Sequence, residues 1–358
     1  MITGRTPVHI DEARPSMNDS LREKYSRQIL FAGIGEQGQE RLLAASAVVV
    51  GSGAIGAAAA NLLVRAGVGR VRIIDRDFVE PSNLQRQTLF DEADARDALP
   101  KAIAAERKLR SINASATVEG IVADVNPLNA EELLAGFDVV LDGTDNFETR
   151  FLVNDFAVRS CQPWIYAAAV ASYGLTMTIR PGITPCLACL LLTDRRGQGL
   201  EETCDTVGVL APVVNLIASL EVTEALKLLV GSEASLHGRL LSCDVWTGHF
   251  QSVRVARNLE CPVCVGREFT YLDGHAQPHI TMCGRDSVQI HEHGRAINLA
   301  TLRSRLAPTA DDVRQNDFLL RFRIAPYEMT IFADGRAILK GTKDPAVARS
   351  LYARYIGA

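Results

Sequence analysis

The stretch SAVVVGSGAIG, Ser46–Gly56, decides the fold of this chain. Its opening residues, Ser46 to Val50, are small or β-branched and uninterrupted by charge, as expected of a strand covered on both faces. Gly51, Gly53 and Gly56 follow, and Ala57–Arg65 reads as a helix rich in small residues. A second apolar run, Arg70–Asp75, predicts another strand that ends on an acid. Strand, glycine turn, helix and strand compose one βαβ unit. In such a unit Gly51 permits the tight turn, Gly53 lets main-chain N–H groups approach a phosphate, and Gly56 lets the helix pack on the strand. The helix N-terminus adds positive potential. Asp75 stands where a carboxylate would hydrogen-bond ribose hydroxyls. The motif predicts a nucleotide site and does not choose between NAD and ATP.

Working outward, the alternation continues. A helix is predicted near Lys101–Ser111, a strand near Thr117–Val122, and a helix capped by Asn126 with Pro127 in its first turn. Strand Asp138–Asp142 then runs into the turn Gly143-Thr144-Asp145-Asn146. Alternating elements of this kind predict an α/β fold with a doubly wound, Rossmann-like, mainly parallel sheet. Val209–Leu229 is long and apolar, but Glu221, Glu224 and Lys227 mark it as a buried or interfacial helix. Arg239–Asp244 and Gln251–Ala256 read as antiparallel strands. The domain reading is a flexible leader at 1–20, a core at 21–267, a linker at 268–284 and a small C-terminal α+β domain at 285–358. That last segment holds no cysteine, which excludes a rhodanese-type sulfurtransferase within it.

Bulk properties narrow the function. The chain has 358 residues, 47% hydrophobic and 22% charged, with a net charge of -4 and a pI near 6.0. Such a balance gives no support for a nucleic-acid partner. No apolar run free of charge reaches the ~20 residues that cross a bilayer. The first residues lack the apolar core of a secretory signal, so a cytoplasmic location is expected. Eight cysteines in a chain this long are too sparse for a disulfide scaffold. Four of them form two Cys-x-x-Cys pairs, Cys186/Cys189 and Cys261/Cys264. Together these suit a closed structural Zn²⁺ site with four thiolates. A thioredoxin-like redox role explains one pair and leaves the other idle. Of the remainder, Cys161 and Cys243 are expected in the core and Cys283 has no assigned role. The seven histidines, His275/His279 and His291/His293 among them, form no ligand spacing.

The loop beyond Asp75 chooses the chemistry. Ser82-Asn83-Leu84-Gln85-Arg86-Gln87 is polar and carries an arginine, and Lys101 follows Pro100 at a predicted helix start. A dehydrogenase has no need to bring such cations to phosphates. An enzyme that breaks an α–β phosphate bond does, because charge gathers on the non-bridging oxygens and on the leaving pyrophosphate. Asp145, in the turn at the carboxyl edge of the sheet, could hold Mg²⁺. Taken singly, charges of this kind are more often solvated surface than catalytic.

Tyr25-Ser26-Arg27-Gln28, the Gly51–Gly56 turn, Ser82–Gln87, Lys101, Asp142–Asn146, both cysteine pairs and Cys204 occur together in this order. In that set the chain resembles the ThiF/MoeB/HesA adenylyltransferases, relatives of ubiquitin-activating enzymes, over residues 21–267. The resemblance implies ATP-dependent adenylylation of the C-terminal glycine of a small ubiquitin-like sulfur-carrier protein ending in Gly-Gly, by a homodimer. It implies that Asp75 binds ribose, with Asp77 in the same pocket. Asn83 and Arg86 would take the phosphates, with Ser82, Leu84 and Gln85 beside them. Lys101 would neutralise the transition state, and Asp145 with Asn146 would face Mg²⁺ and nucleotide. Arg27 would reach the nucleotide of the neighbouring protomer. Ala54 stands at a turn position that is often glycine in the family, and alanine still leaves room for main-chain contact.

No general base is needed for this reaction, since a C-terminal carboxylate with a pKa of ~3.5 is already ionised. Cys204, in the polar stretch Glu201–Thr206, is a candidate thiol for capturing the activated carrier, with a free loop cysteine as the alternative. Its acidic neighbours would raise its pKa. A cysteine desulfurase or another sulfur donor is then an expected partner. The C-terminal segment resembles the extension of ThiF-type thiazole-pathway enzymes, which points to thiamin. Alternatives are a molybdopterin-synthase-type carrier, a peptide or tRNA carboxylate, a catalytically idle scaffold, or an NAD dehydrogenase.

Overall fold

The computed structural model describes residues 17–191, 207–275, 280–282, 287–290 and 296–356. The predicted βαβ unit is present as β1 (Ser46–Val50), the helix Ala54–Ala66 and β2 (Arg70–Ile74). Six more strands complete the first sheet: β3 (Thr117–Ile121), β4 (Val139–Asp142), β5 (Trp164–Val170), β6 (Tyr173–Ile179), β7 (Leu240–Asp244) and β8 (His249–Val253). Their order is β3-β2-β1-β4-β5-β6-β7-β8. Pairings from β3 to β5 are parallel, and those from β5 to β8 antiparallel. The sheet is doubly wound about β1 and β4, and this centre governs the site.

Alternate residues of a strand face opposite sides of a sheet. Val49, Val71, Ile73 and Leu141 enter one apolar cluster, beneath the helices Ala54–Ala66, Lys101–Ile112 and Ala211–Leu229. Val48, Val50, Ile74 and Val140 enter the other, beneath Ala130–Leu134 and Phe147–Ser160. The alanines at 57–60, all buried, let the long helix Ala211–Leu229 lie close along Ala54–Ala66. That long helix carries Glu221 and Glu224 into the interior, and both find donors. Glu221 Oε1 accepts from the Asp142 N–H at 2.8 Å. Glu224 Oε2 accepts from Thr178 Oγ1 at 2.9 Å and from the His237 N–H at 3.0 Å. Among the described residues no helix is long and apolar enough to cross a membrane.

Three expectations are corrected. Asn126-Pro127 does not open a helix; the helix is Ala130–Leu134. Asn126 instead accepts from the Leu128 N–H at 2.9 Å, and the Asn126 N–H donates to Asn129 Oδ1 at 2.9 Å. Such side chain to main chain bonds compete with helix formation. Cys161 is not core: it is exposed and caps the helix Phe147–Ser160 in the left-handed region, at φ 57. Cys243 is buried in β7 as expected. The strand expected at Gln251–Ala256 is β8 at His249–Val253, whose residues are exposed throughout.

A second sheet holds β9 (Ile280–Met282), β10 (Ser287–Ile290), β11 (Asp311–Gln315), β12 (Leu319–Ile324), β13 (Tyr327–Phe332) and β14 (Ala337–Lys340). The order is β11-β12-β13-β14-β10-β9, antiparallel throughout. Helices Leu299–Leu306 and Pro345–Tyr355 share its apolar cluster through Leu302, Leu306, Ala348 and Tyr352. β9 falls inside the stretch 268–284 read as linker and pairs with β10. β11, with the sequence Asp-Asp-Val-Arg-Gln, is a polar edge strand without a periodic signature.

Asp155 ties the helix Phe147–Ser160 to the chain beyond the second cysteine pair. Its Oδ2 accepts from the Tyr271 and Leu272 N–H groups at 2.9 and 3.3 Å. Burial pushes its carboxyl up to about 6, and these bonds offset only part of the rise. In the window from about pH 4 to about 6 the folded chain therefore keeps a proton that the unfolded chain releases. Stability from this group is full below the window and falls as pH rises through it, by about 3 kcal/mol. Asp155→Asn should flatten that slope when urea midpoints are compared across the window; parallel profiles for the two proteins would refute it.

Candidate functional site

β1 and β4 are neighbours whose connections leave toward opposite sides of the sheet, so a crevice opens at their carboxyl ends. The turns beyond the two strands touch through main chain alone. Gly51 adopts φ +88, and a Cβ there would stand 2.5 Å from Gly143 O; one on Gly56 would stand 1.9 Å from Gly51 O. No other residue fits either position. Gly53 is the N-cap of the helix Ala54–Ala66, and no side chain bonds to that terminus. Its first-turn N–H groups and its positive end therefore face the crevice, an arrangement suited to phosphate. Ala54 rests on the core at the start of the helix.

The two acids after β2 do different things. Asp75 is buried, and its oxygens accept from the Ser52 N–H at 2.6 Å and the Asp77 N–H at 2.7 Å. It straps the glycine turn to the end of β2. Asp77, its side chain about 39% exposed, is the acid with an open side. Lys101 starts the helix Lys101–Ile112, is buried, and lies 3.3 Å from Asp77 Oδ2. Burial lowers its proton affinity, but Asp77, Asp75 and Asp145 together outweigh that and hold it charged. Burial pushes Asp77 upward in turn, and Lys101 and Arg76 bring it below the ordinary carboxylate range. One ammonium thus gathers three acids from two separate loops.

The polar loop is half anchor and half free. Asn83 is buried and accepts from the Glu80 N–H at 3.0 Å, and Leu84 packs on the core. Gln87 is buried, with no partner for Oε1 among the described residues. Ser82 and Gln85 are exposed, and Arg86 is half-buried, its guanidinium donating to Ser82 O at 2.9 Å.

Asp145 is exposed in the turn after β4. Asn146 caps the helix Phe147–Ser160, its Oδ1 accepting from the Thr149 N–H at 2.8 Å, so that oxygen is already engaged. Beneath the turn lies a buried network that the sequence reading missed. Asp142 Oδ1 accepts from Thr144 N–H and Oγ1, while Arg150 Nε donates to Asp142 Oδ2 at 3.1 Å. Arg150 Nη2 donates to Thr144 O at 2.7 Å and Ala167 O at 3.1 Å. Glu221 closes it from below; burial and the neighbouring Asp142 raise its carboxyl well above the usual range, against the opposing Asp142 N–H and Arg150. The available signal was a pair of acids inside the apolar pattern of Val209–Leu229. Arg27 stands elsewhere, exposed on the short helix Ser26–Ile29 beside exposed Leu30 and Phe31. Tyr25 and Gln28 anchor that helix through Asn113 Nδ2 at 2.9 Å and Ala66 O at 2.8 Å. Cys204 lies outside the described residues.

The four knuckle cysteines converge, with their sulfurs all within 4.8 Å of one another. Separations are 3.9 Å for Cys186–Cys189, 3.6 Å for Cys186–Cys261 and 3.5 Å for Cys189–Cys264. These are far beyond the about 2.05 Å of a disulfide. They bracket the about 3.8 Å between sulfurs that a tetrahedral ion with Zn–S near 2.3 Å requires. Burial pushes the Cys186 thiol upward; it acts on Cys189 too, but hydrogen bonds from Asn258, Cys186 and the neighbouring thiols bring that one below the ordinary thiol range. The residues fit zinc.

The model of the ThiF family matches residues 25–263. The chain is 46% identical over 338 residues to the sulfur carrier protein ThiS adenylyltransferase of Bacillus subtilis, covering 93% of this chain and 99% of that protein. It is 38% identical over 247 residues to the sulfur carrier protein adenylyltransferase of Thermus thermophilus, covering 68% and 90%. The crystal structure of E. coli MccB with ATP superposes with a TM-score of 0.59 at 26% identity, covering 67% of this chain and 74% of that one. The chain belongs to the ThiF family.

Proposed function

We propose that this protein adenylylates the C-terminal glycine of a small ubiquitin-like sulfur carrier at the expense of ATP, supplying sulfur for the thiazole of thiamin. The observation that carries the reading is Lys101, 3.3 Å from Asp77 in the loop whose Asp75 is bonded to the Ser52 N–H of the glycine turn, before a helix N-terminus with no side-chain cap. The 46% identity to the ThiS adenylyltransferase supports the carrier and the pathway; the match necessarily takes in most of the C-terminal unit. In the reaction a carboxylate oxygen of the carrier attacks the α-phosphorus of ATP. An acyl-phosphate bond forms, the α–β bridging bond breaks, and pyrophosphate leaves with the electron pair.

The protein's work is alignment and charge. The N–H groups at Gly53 to Gly56 would hold phosphate, Asp77 would meet the ribose, and Arg86 would follow the departing pyrophosphate. Lys101 would turn from Asp77 to the non-bridging oxygens. Asp145 would hold Mg²⁺, which supplies further charge neutralisation when bound. Arg150 keeps the Asp145 turn in place. Arg27, flanked by exposed Leu30 and Phe31, would complete the site of a second protomer, in keeping with a homodimer. Cys186, Cys189, Cys261 and Cys264 would hold a structural Zn²⁺ away from this chemistry. Cys204 would capture the activated carrier for a sulfur donor such as a cysteine desulfurase, in the cytoplasm.

With ATP, Mg²⁺ and a Gly-Gly-ending carrier the protein should catalyse carrier-dependent ATP–pyrophosphate exchange, and Asp145→Ala should lower it about 10²-fold or more with the circular dichroism unchanged. No exchange with any cognate carrier would defeat the proposal, and full exchange by the variant would remove Asp145 from the metal. Zinc analysis should give one ion per chain. Chelation or Cys261→Ser should lower the thermal midpoint sharply, since a four-thiolate site contributes on the order of 10 kcal/mol to folding. An unchanged midpoint in the zinc-free protein would make the cluster dispensable to the fold.

A further inference from the structure

The turn that carries Asp145 is held from beneath, and the hold begins on a helix distant in sequence. Glu221, fully buried in Ala211–Leu229, reaches the last residue of β4, its Oε1 accepting from the Asp142 N–H at 2.8 Å. From Asp142 the bonds run on into the turn. Its Oδ1 accepts from the Thr144 N–H at 2.9 Å and from Thr144 Oγ1 at 2.7 Å. Its Oδ2 accepts from Arg150 Nε at 3.1 Å, and Arg150 Nη2 returns to Thr144 O at 2.7 Å. Thr144 is thus bound at its N–H, its hydroxyl and its carbonyl, and Asp145 is the next residue.

The network lies where main-chain pairing stops. The ladder between β4 and β5 ends at Leu141 and Ile165. Beyond it side chains bridge the strands: Arg150 donates to Ala167 O at 3.1 Å, and Asp142 Oδ2 accepts from the Ala167 N–H at 3.5 Å. The helix that supplies Glu221 also lies along Ala54–Ala66 and shares its apolar cluster. One rod therefore touches both the end of β4 and the helix whose N-terminus faces the crevice. Glu221 Oε2 is buried with no partner among the described residues. A carboxyl oxygen left so is costly, and an apolar side chain would serve packing better. What Glu221 gives in return is the bond to Asp142.

We infer that Glu221 is a positioning residue of the nucleotide site: through Asp142, Arg150 and Thr144 its carboxyl group sets where Asp145 stands relative to the N-terminus of Ala54–Ala66. The inference rests on the adenylylation reading above for what Asp145 does, and on hydrogen bonds alone for how the turn is held. Burial and Asp142 raise the Glu221 carboxyl well above the usual range, so its conservative replacement is the uncharged amide and not aspartate.

Three full-length variants separate reach from charge. Glu221→Gln keeps an oxygen at the same length, Glu221→Asp keeps the carboxyl group one methylene shorter, and Glu221→Met keeps the volume alone. Mobility of the turn would be read by amide hydrogen exchange over residues 142–147, and folding by the thermal midpoint. Carrier-dependent pyrophosphate exchange would give the Mg²⁺ concentration for half-maximal rate and KM for ATP. Glu221→Asp and Glu221→Met should speed hydrogen exchange in the turn and raise the Mg²⁺ requirement about tenfold, with KM for ATP moved far less. Glu221→Gln should match wild type in both. Wild-type values in Glu221→Asp and Glu221→Met would overturn the inference, and so would a loss in Glu221→Gln equal to theirs. Should the shortened variants not fold, Thr144→Val decides by the same two readings, since it removes the hydroxyl bond at the far end of the network; wild-type values there would overturn the inference. A wild-type chain that exchanges no pyrophosphate at any Mg²⁺ concentration would overturn the adenylylation reading, while hydrogen exchange would still judge the hold on the turn.

Discussion

Two main-chain turns meet at the carboxyl ends of β1 and β4 with no side chain between them, and everything in the crevice is placed relative to that contact. Sterics leave one choice of residue at Gly51 and Gly56, so the contact is fixed by hard-sphere limits and not by attraction. The N-terminus of Ala54–Ala66 is aimed by the first turn and Asp145 by the second. Asp75 then fastens the glycine turn to β2, and Lys101 draws the loops together by charge. Removing any one of the later contacts would loosen the site; widening the first would leave the others nothing to be placed against.

Much of this was legible in the chain because the deciding signals are local. A glycine triplet after a β-branched run, a polar loop with an arginine, and two cysteine pairs each declare themselves within a few residues. What stayed hidden is long-range or lacks a period. Asp142, Arg150 and Glu221 make one buried network from a strand, a helix and a second, distant helix, and no local pattern joins them. Asp75 and Asp77 look alike in sequence, yet one is occupied by two main-chain N–H groups and the other is half open. Polar β11 carries no alternation because it lies at an edge. Asn126-Pro127 has helix-start chemistry that is used for a turn instead, and Cys161 takes a left-handed cap that glycine or asparagine more often fills.

The cysteine cluster and the nucleotide crevice are separate in kind. One closes a buried face of the sheet with four sulfurs, and the other leaves charge half open to solvent. Sequence reading places both in the chain but does not relate them, since their relation depends on which face of the sheet each occupies. Cys186, Cys189 and Cys261 share the apolar cluster of Val50 and Phe156, the face away from the helix Ala54–Ala66.

The helix Phe147–Ser160 runs along that face and joins the two centres as a strut. One end begins at the cap beside Asp145. Toward its other end Asn154 Oδ1 accepts from the Leu187 N–H at 2.9 Å, inside the first cysteine pair, and Asp155 holds Tyr271 and Leu272. A helix of 14 residues is about 21 Å of stiff rod. A displacement at the sulfurs would therefore be carried along it to the turn that holds Asp145, while the Gly51 turn has no such strut.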